Sequence, residues 1–135
     1  MEVPFIPLHR TWTLFFHAKN RDKKYSSNQT KLIDISDIKT FWGTFNNIPK
    51  PTLMFSDGKT DKIIKRTGET PNALSFFSKG IEPCWEDVKN STGAEWSIRK
   101  FKDVSDVDVI WINLLVDIVS ENFDHSENIN GVRIV

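Results

Sequence analysis

The chain has 135 residues, 39% of them hydrophobic and 27% charged, with no net formal charge, which suits one domain with its own core and excludes a protein that coats nucleic acid through phosphates alone, since that needs a positive excess. Its single cysteine, Cys84, allows no internal disulfide and points to a reducing compartment. No run approaches the roughly 20 apolar residues of a membrane span, and MEVPFIPLHR does not read as a secretory signal.

Residues 11–17, TWTLFFH, alternate loosely and predict a strand. The polar run 19–29 follows as a loop carrying Lys19, Arg21, Lys23 and Lys24. Residues 30–35, TKLIDI, predict a second strand. Ser36 stands where a helix N-cap belongs, and Ile38, Phe41, Trp42, Phe45 and Ile48 follow at helical spacing until Pro49 and Pro51 end the pattern. Residues 56–72 are polar and turn-rich, a surface loop. LSFF (74–77) predicts a short strand, GIEPCWED (80–87) a loop and EWSIRKF (95–101) a strand. A second helix is expected from Ser105, with Asp108 completing a variant capping box, to about Asn122, and GVRIV (131–135) closes as a strand. Strands with two interspersed helices predict a single α+β domain over 1–135, its helices on one face of an antiparallel sheet.

The second helix has apolar residues on two sides. Val107, Ile110, Trp111, Leu114, Leu115 and Ile118 form the expected core face. Val109, Ile112, Val116 and Val119 form a second stripe, which a small domain is expected to offer to a partner.

No segment carries a nucleophile elbow, a phosphate loop or a metalloprotease helix. Cys84, His9, His17 and His125 lack metal-ligand spacing. No catalytic residue, metal or cofactor is therefore expected. Five tryptophans and ten phenylalanines stand out, and aromatic rings are what bases stack on. In GIEPCWED a proline-led loop sets Trp85 beside Glu86. The ring can stack on guanine while the carboxylate accepts from its N1–H and N2–H₂. A base methylated at N7 is cationic, which strengthens both contacts. Tyr25 is a candidate for the opposite face of the base.

PLHRTWTLFFHAKN, KKYSSNQTKLIDISDIKTFWGTFNNI, SKGIEPCWEDVKNSTGAEWSI and VIWINLLVDIVSENF, in that order, resemble the translation initiation factor 4E family of messenger-RNA cap-binding proteins over nearly the whole chain. The most specific of these segments is GIEPCWED. The resemblance implies a curved antiparallel sheet with helices on its convex face and the cap on its concave face. It implies that Trp85 and Tyr25 stack on 7-methylguanine, Tyr25 standing where the family usually has tryptophan. Glu86 would bind the guanine edge, and the backbone N–H of Trp85 would donate to O6. It further implies that scaffold or repressor proteins with a tyrosine-to-leucine motif dock on the back of the domain. The matching positions are Pro7, Leu8, Ile38, Trp42, Ile112, Asn113 and Val116, with Asn113 where the family commonly has glutamate.

This sequence departs from the family pattern in places. Residues 55–73 include an insertion, and Glu95 stands beside Trp96 where the family often has a basic residue near the cap phosphates. The family's main phosphate contacts lie on strands past the segment matched here, so Lys19, Arg21, Lys23 and Lys24 are expected to supply part of them. The function the resemblance implies is recruitment of 7-methylguanosine-capped mRNA to translation, in the cytoplasm, by a monomer that performs no chemistry. The alternative is a cap-impaired interaction module that acts as a translational competitor or repressor.

Overall fold

Trp12, Leu14 and Phe16 alternate with Thr13, Phe15 and His17 along β1 (Pro7–Ala18), and this alternation sets the two faces of the sheet. The structure, a computed structural model, describes residues 6–18, 29–48, 50–51, 71–84, 87–98, 103 and 105–135. β1 pairs with β2 (Gln29–Asp37) and β3 (Pro71–Ser78), and β3 with β4 (Gly131–Ile134). All pairs are antiparallel, giving one curved sheet in the order β2-β1-β3-β4. Both β1 and β3 exceed the predicted strands. PLHR carries no alternation to read, and the register between Pro7 and Trp12 is irregular. The expected 55–73 loop ends early, because Pro71–Ala73 already belong to β3; residues 52–70 lie outside the described residues.

Helix α1 (Ile38–Phe45) is capped by Asp37, not by Ser36. Asp37, the last residue of β2, stands directly before the helix, and its carboxylate accepts from the Thr40 N–H and Oγ1–H, both at 2.8 Å. A carboxylate at that position also sits well against the helix dipole. A single turn, α2 (Val88–Ser91), follows the GIEPCWED loop. The long helix α3 (Ser105–Val119) starts under Asp103, whose carboxylate accepts from the Ser105 N–H and hydroxyl. Ser105 therefore lies inside the helix, and Asp103 satisfies its first turn. At the other end Glu121 turns left-handed at φ 56. The Asn122 N–H then reaches the Asp117 carbonyl at 2.9 Å and the Glu121 N–H reaches that of Ile118, a Schellman stop.

Both helices pack on the face of Trp12, Leu14 and Phe16. Phe41 from α1 and Trp111, Leu115, Ile118 and Val119 from α3 close the core with Ile35, Leu74 and Phe76. Val119 corrects the two-stripe reading of α3: it lies only about 80° round the helix from Trp111 and is core. Ile112 and Val116 flank that core half-buried, and only Val109 points fully away. Of the strand expected at 95–101, EWSI (95–98) is not a strand, and residues 99–101 lie outside the described residues. A strand needs a ladder partner, and no described residue offers one there; Trp96 and Ile98 are exposed.

Candidate functional site

On the helix side, the chain entering β1 crosses beside α1 and the end of α3. The Ile38 N–H donates to the Ile6 carbonyl at 2.9 Å, fixing the start of α1 to that segment. Between them lies a groove of about 300 Å³ lined by Ile6, Pro7, Leu8, His9, Ile38, Phe41, Trp42, Val116, Val119 and Ser120. Its floor is core: Phe41 and Val119 are buried. Its rim is open apolar surface, with Trp42 at 40% exposure and Ile6 at 47%. Trp42 stands edge-on to Phe41, ring centroids 5.0 Å apart, which fixes the indole while leaving it accessible.

The structure thus gathers Pro7, Leu8, Ile38, Trp42 and Val116 round one groove. It does not bring Ile112 or Asn113 to that lining: Ile112 packs against the core and Asn113 points to solvent. Sequence reasoning missed Ile6, His9 and Ser120, which stand outside any periodic pattern.

A larger cavity, about 480 Å³, opens beside the end of α3 among His9, Arg10, Glu121, Phe123, His125, Ser126 and Glu127. Its charges serve the fold. Arg10 lies 4.2 Å over the Trp12 ring, donates to Glu121 at 3.1 Å and to the Ser126 carbonyl at 2.8 Å. Among the described residues no group of His, Cys, Asp and Glu could hold a metal ion.

The opposite face of the sheet carries the polar alternates of β1. Thr13 donates to Asp34 at 2.7 Å, and Lys31 and Lys79 bridge the same carboxylate. The Thr13 hydroxyl first, then the lysines, hold the Asp34 carboxyl below its usual range. Buried His17 shares a 2.8 Å hydrogen bond between its Nε2 and the Ser75 hydroxyl. Arg133, opposite Ser75 in the β3–β4 register, leaves the sheet on this same face. Its Nη2 lies 3.6 Å from the Glu95 carboxylate. Glu95, which stands where the family often has a basic residue, thus has a cation beside it. Lys19, Arg21, Lys23 and Lys24 lie outside the described residues.

Burial, with Arg133 adding to it, pushes the His17 imidazole down from 6.5 to about 4. The unfolded chain then binds the proton first, so this stabilisation is whole above about pH 6.5 and drains away as pH falls to about 4. The expected loss is on the order of 2 kcal/mol across that window. His17→Phe should flatten the stability–pH curve there, as read by urea unfolding between pH 7 and pH 4. An unchanged slope would show that His17 does not titrate with folding.

Tyr25, Trp85 and Glu86 lie outside the described residues, but the frame on either side of the Trp85–Glu86 pair is described. Gly80 adopts φ 94, a left-handed turn that favours glycine, as the chain leaves β3. Ile81 and Pro83 are buried and anchor the loop. The Asp87 carboxylate accepts from the N–H of Glu82 at 2.8 Å and of Lys89 at 2.9 Å, spanning the pair. Those backbone donors hold its pKa below the usual carboxylate value. The described ends of the loop are thus tied to each other.

The sequence profile described as Eukaryotic initiation factor 4E matches residues 7–135. Eukaryotic translation initiation factor 4E1 of Drosophila melanogaster is 30% identical over 129 residues, 95% of this chain and 44% of that protein. Eukaryotic translation initiation factor 4E of Homo sapiens is 27% identical over 131 residues, 95% of this chain and 54% of that protein. The chain spans about half the length of the curated relatives it matches. Among solved structures, C. elegans eIF4E-3 in complex with the 4E-binding protein Mextli and a cap analog is similar at TM-score 0.77 and 25% identity, covering 96% of this chain and 66% of that one. Ascaris suum eIF4E-3 with the m7G cap is similar at TM-score 0.75 and 26% identity, with the same coverage.

Proposed function

Because this chain belongs to the eukaryotic initiation factor 4E family, we propose that it binds the 7-methylguanosine cap of mRNA with the GIEPCWED loop and a 4E-binding protein in the groove beside Trp42. On this reading it brings capped messages to translation initiation in the cytoplasm, as a binding protein without a catalytic step. The observation that carries the proposal is the likeness to a solved complex that includes both a cap analog and a 4E-binding protein. The described frame supports it: the loop is closed by Asp87, and the groove lies on the helix side, where no residue of that loop contributes to the lining. Trp85 and Tyr25 would stack on the base, and Glu86 would accept from its Watson–Crick edge. Pro7, Leu8, Ile38, Trp42 and Val116 would receive a tyrosine-to-leucine motif.

The alternative, an interaction module with a degenerate cap pocket, draws on Glu95 and on Tyr25 in place of tryptophan. Arg133 beside Glu95 weakens the first of these grounds. Tryptophan fluorescence decides between them. The cap reading expects 7-methyl-GTP to quench at concentrations where GTP does not, since only the methylated base is cationic. Glu86→Gln keeps the shape but loses the charged acceptor, and should weaken 7-methyl-GTP by about tenfold. Equal quenching by both nucleotides, or full affinity in Glu86→Gln, would sink the assignment.

A further inference from the structure

The GIEPCWED loop is fastened to the sheet by a pair of asparagines, Asn90 within the family-like segment SKGIEPCWEDVKNSTGAEWSI and Asn130 outside it. Asn90, on the single turn α2, donates from Nδ2 to the Glu82 carbonyl at 2.7 Å and to the Cys84 carbonyl at 2.9 Å. Its Oδ1 accepts from Asn130 Nδ2 at 2.9 Å, and the same Nδ2 donates to the Lys89 carbonyl at 3.0 Å. The orientation of the Asn90 amide follows from its partners: two carbonyls demand the nitrogen, and one donor demands the oxygen. Asn130 is itself fixed, because its carbonyl accepts from the Ser78 N–H at 2.7 Å where β3 and β4 begin to pair. The chain of bonds therefore runs from the sheet, through Asn130 and Asn90, to the carbonyls on the approach to Trp85.

The bond to Cys84 holds the last described carbonyl before Trp85 toward Asn90 at 2.9 Å. Asp87 completes the clasp by gripping the Glu82 N–H from the far end of the loop.

We infer that Asn90 and Asn130 are positioning residues for base recognition, a clasp that fixes the backbone leading into the loop's aromatic and carboxylate. This rests on the reading above that the loop holds the base. Neither side chain needs to touch the ligand.

The test uses the 135-residue chain with Asn90→Ala, Asn130→Ala and the pair combined, titrated with 7-methyl-GTP and GTP by tryptophan quenching. Asn90→Ala should weaken 7-methyl-GTP by about tenfold and Asn130→Ala by about fivefold. The combined variant should fall short of the product, because the two share a bond. The preference for 7-methyl-GTP over GTP should also shrink, since it depends on the pose. A merely structural role would lower the folded fraction, weaken both nucleotides alike and leave that preference unmoved. Asn130→Asp, equal in size but without the amide donors, should repeat the Asn130→Ala result and stands in should an alanine variant fail to fold. Full 7-methyl-GTP affinity in the variants, with the unaltered chain binding, overturns the clasp and leaves the cap reading standing. A proportional loss of both nucleotides overturns it as well. Absence of 7-methyl-GTP binding by the unaltered chain overturns the cap reading and the clasp together.

Discussion

Gly131→Ala is expected to cost about 3–4 kcal/mol of stability. The cause is space, since a Cβ at this position would stand 2.6 Å from the Phe76 carbonyl oxygen and against the Phe77 ring. A ring can swing aside, but the Phe76 carbonyl belongs to the backbone of β3 and cannot. The strand must therefore give way where β4 begins, with Gly131 facing Phe77 and Val132 facing Phe76. That start also carries Asn130, so the loop clasp should loosen with it. Thermal unfolding followed by circular dichroism should show a midpoint lower by roughly 10 °C. An unchanged midpoint would mean that β4 adds little to the stability of the sheet.

Much of this fold is written in local pattern. Trp12, Leu14 and Phe16 announce β1 by period two, and Ile38, Phe41, Trp42 and Phe45 announce α1 by helical spacing. Boundaries were less legible where two residues competed for one role. Ser36 and Asp37 are both good caps, and Asp37 takes the role because the helix starts at Ile38, directly after it. EWSI has strand composition, but composition cannot supply a ladder partner. The stripe on α3 was half legible: Val116 does reach the groove, yet Val119 turns inward because Trp111 and Leu115 draw that flank onto the sheet.

The contacts that sequence reading could not supply are those that depend on distant residues meeting. Arg10 finds Glu121, 111 positions away, and so steadies a left-handed turn that would otherwise favour glycine. Asn130 finds Asn90 across 40 positions. Arg133 finds Glu95 and changes the meaning of that carboxylate on its face of the sheet. Asn130 carries no pattern, and only the sheet register and the loop closure give it and Asn90 this role.

Trp42→Ala should reduce binding of a tyrosine-to-leucine motif peptide by at least 30-fold while leaving 7-methyl-GTP affinity within about twofold. The indole is half-exposed on the groove rim, braced by Phe41, with Leu8 and Val116 around the same cleft. A rigid, half-exposed tryptophan beside an apolar groove is the kind of residue on which binding energy concentrates. Its removal leaves the core intact, because Phe41, Leu115 and Phe76 fill the space beneath. The cap side should not respond, since the groove lining shares no residue with the 80–87 loop and the sheet core separates Trp42 from the Thr13–His17 face. Ile112→Ala is the informative contrast: it was expected to touch the partner, but it does not line the groove and packs on the core. It should cost stability, about 1–3 kcal/mol, with a smaller change in peptide affinity than Trp42→Ala. Isothermal titration with the peptide, and tryptophan quenching with the cap analogue, measure the two sides separately. If Trp42→Ala lowers both affinities together, the two surfaces are coupled through the sheet and the separation proposed here fails. If Ile112→Ala matches Trp42→Ala on the peptide without losing stability, the partner footprint runs along α3 past the groove, and Asn113 becomes the next residue to test.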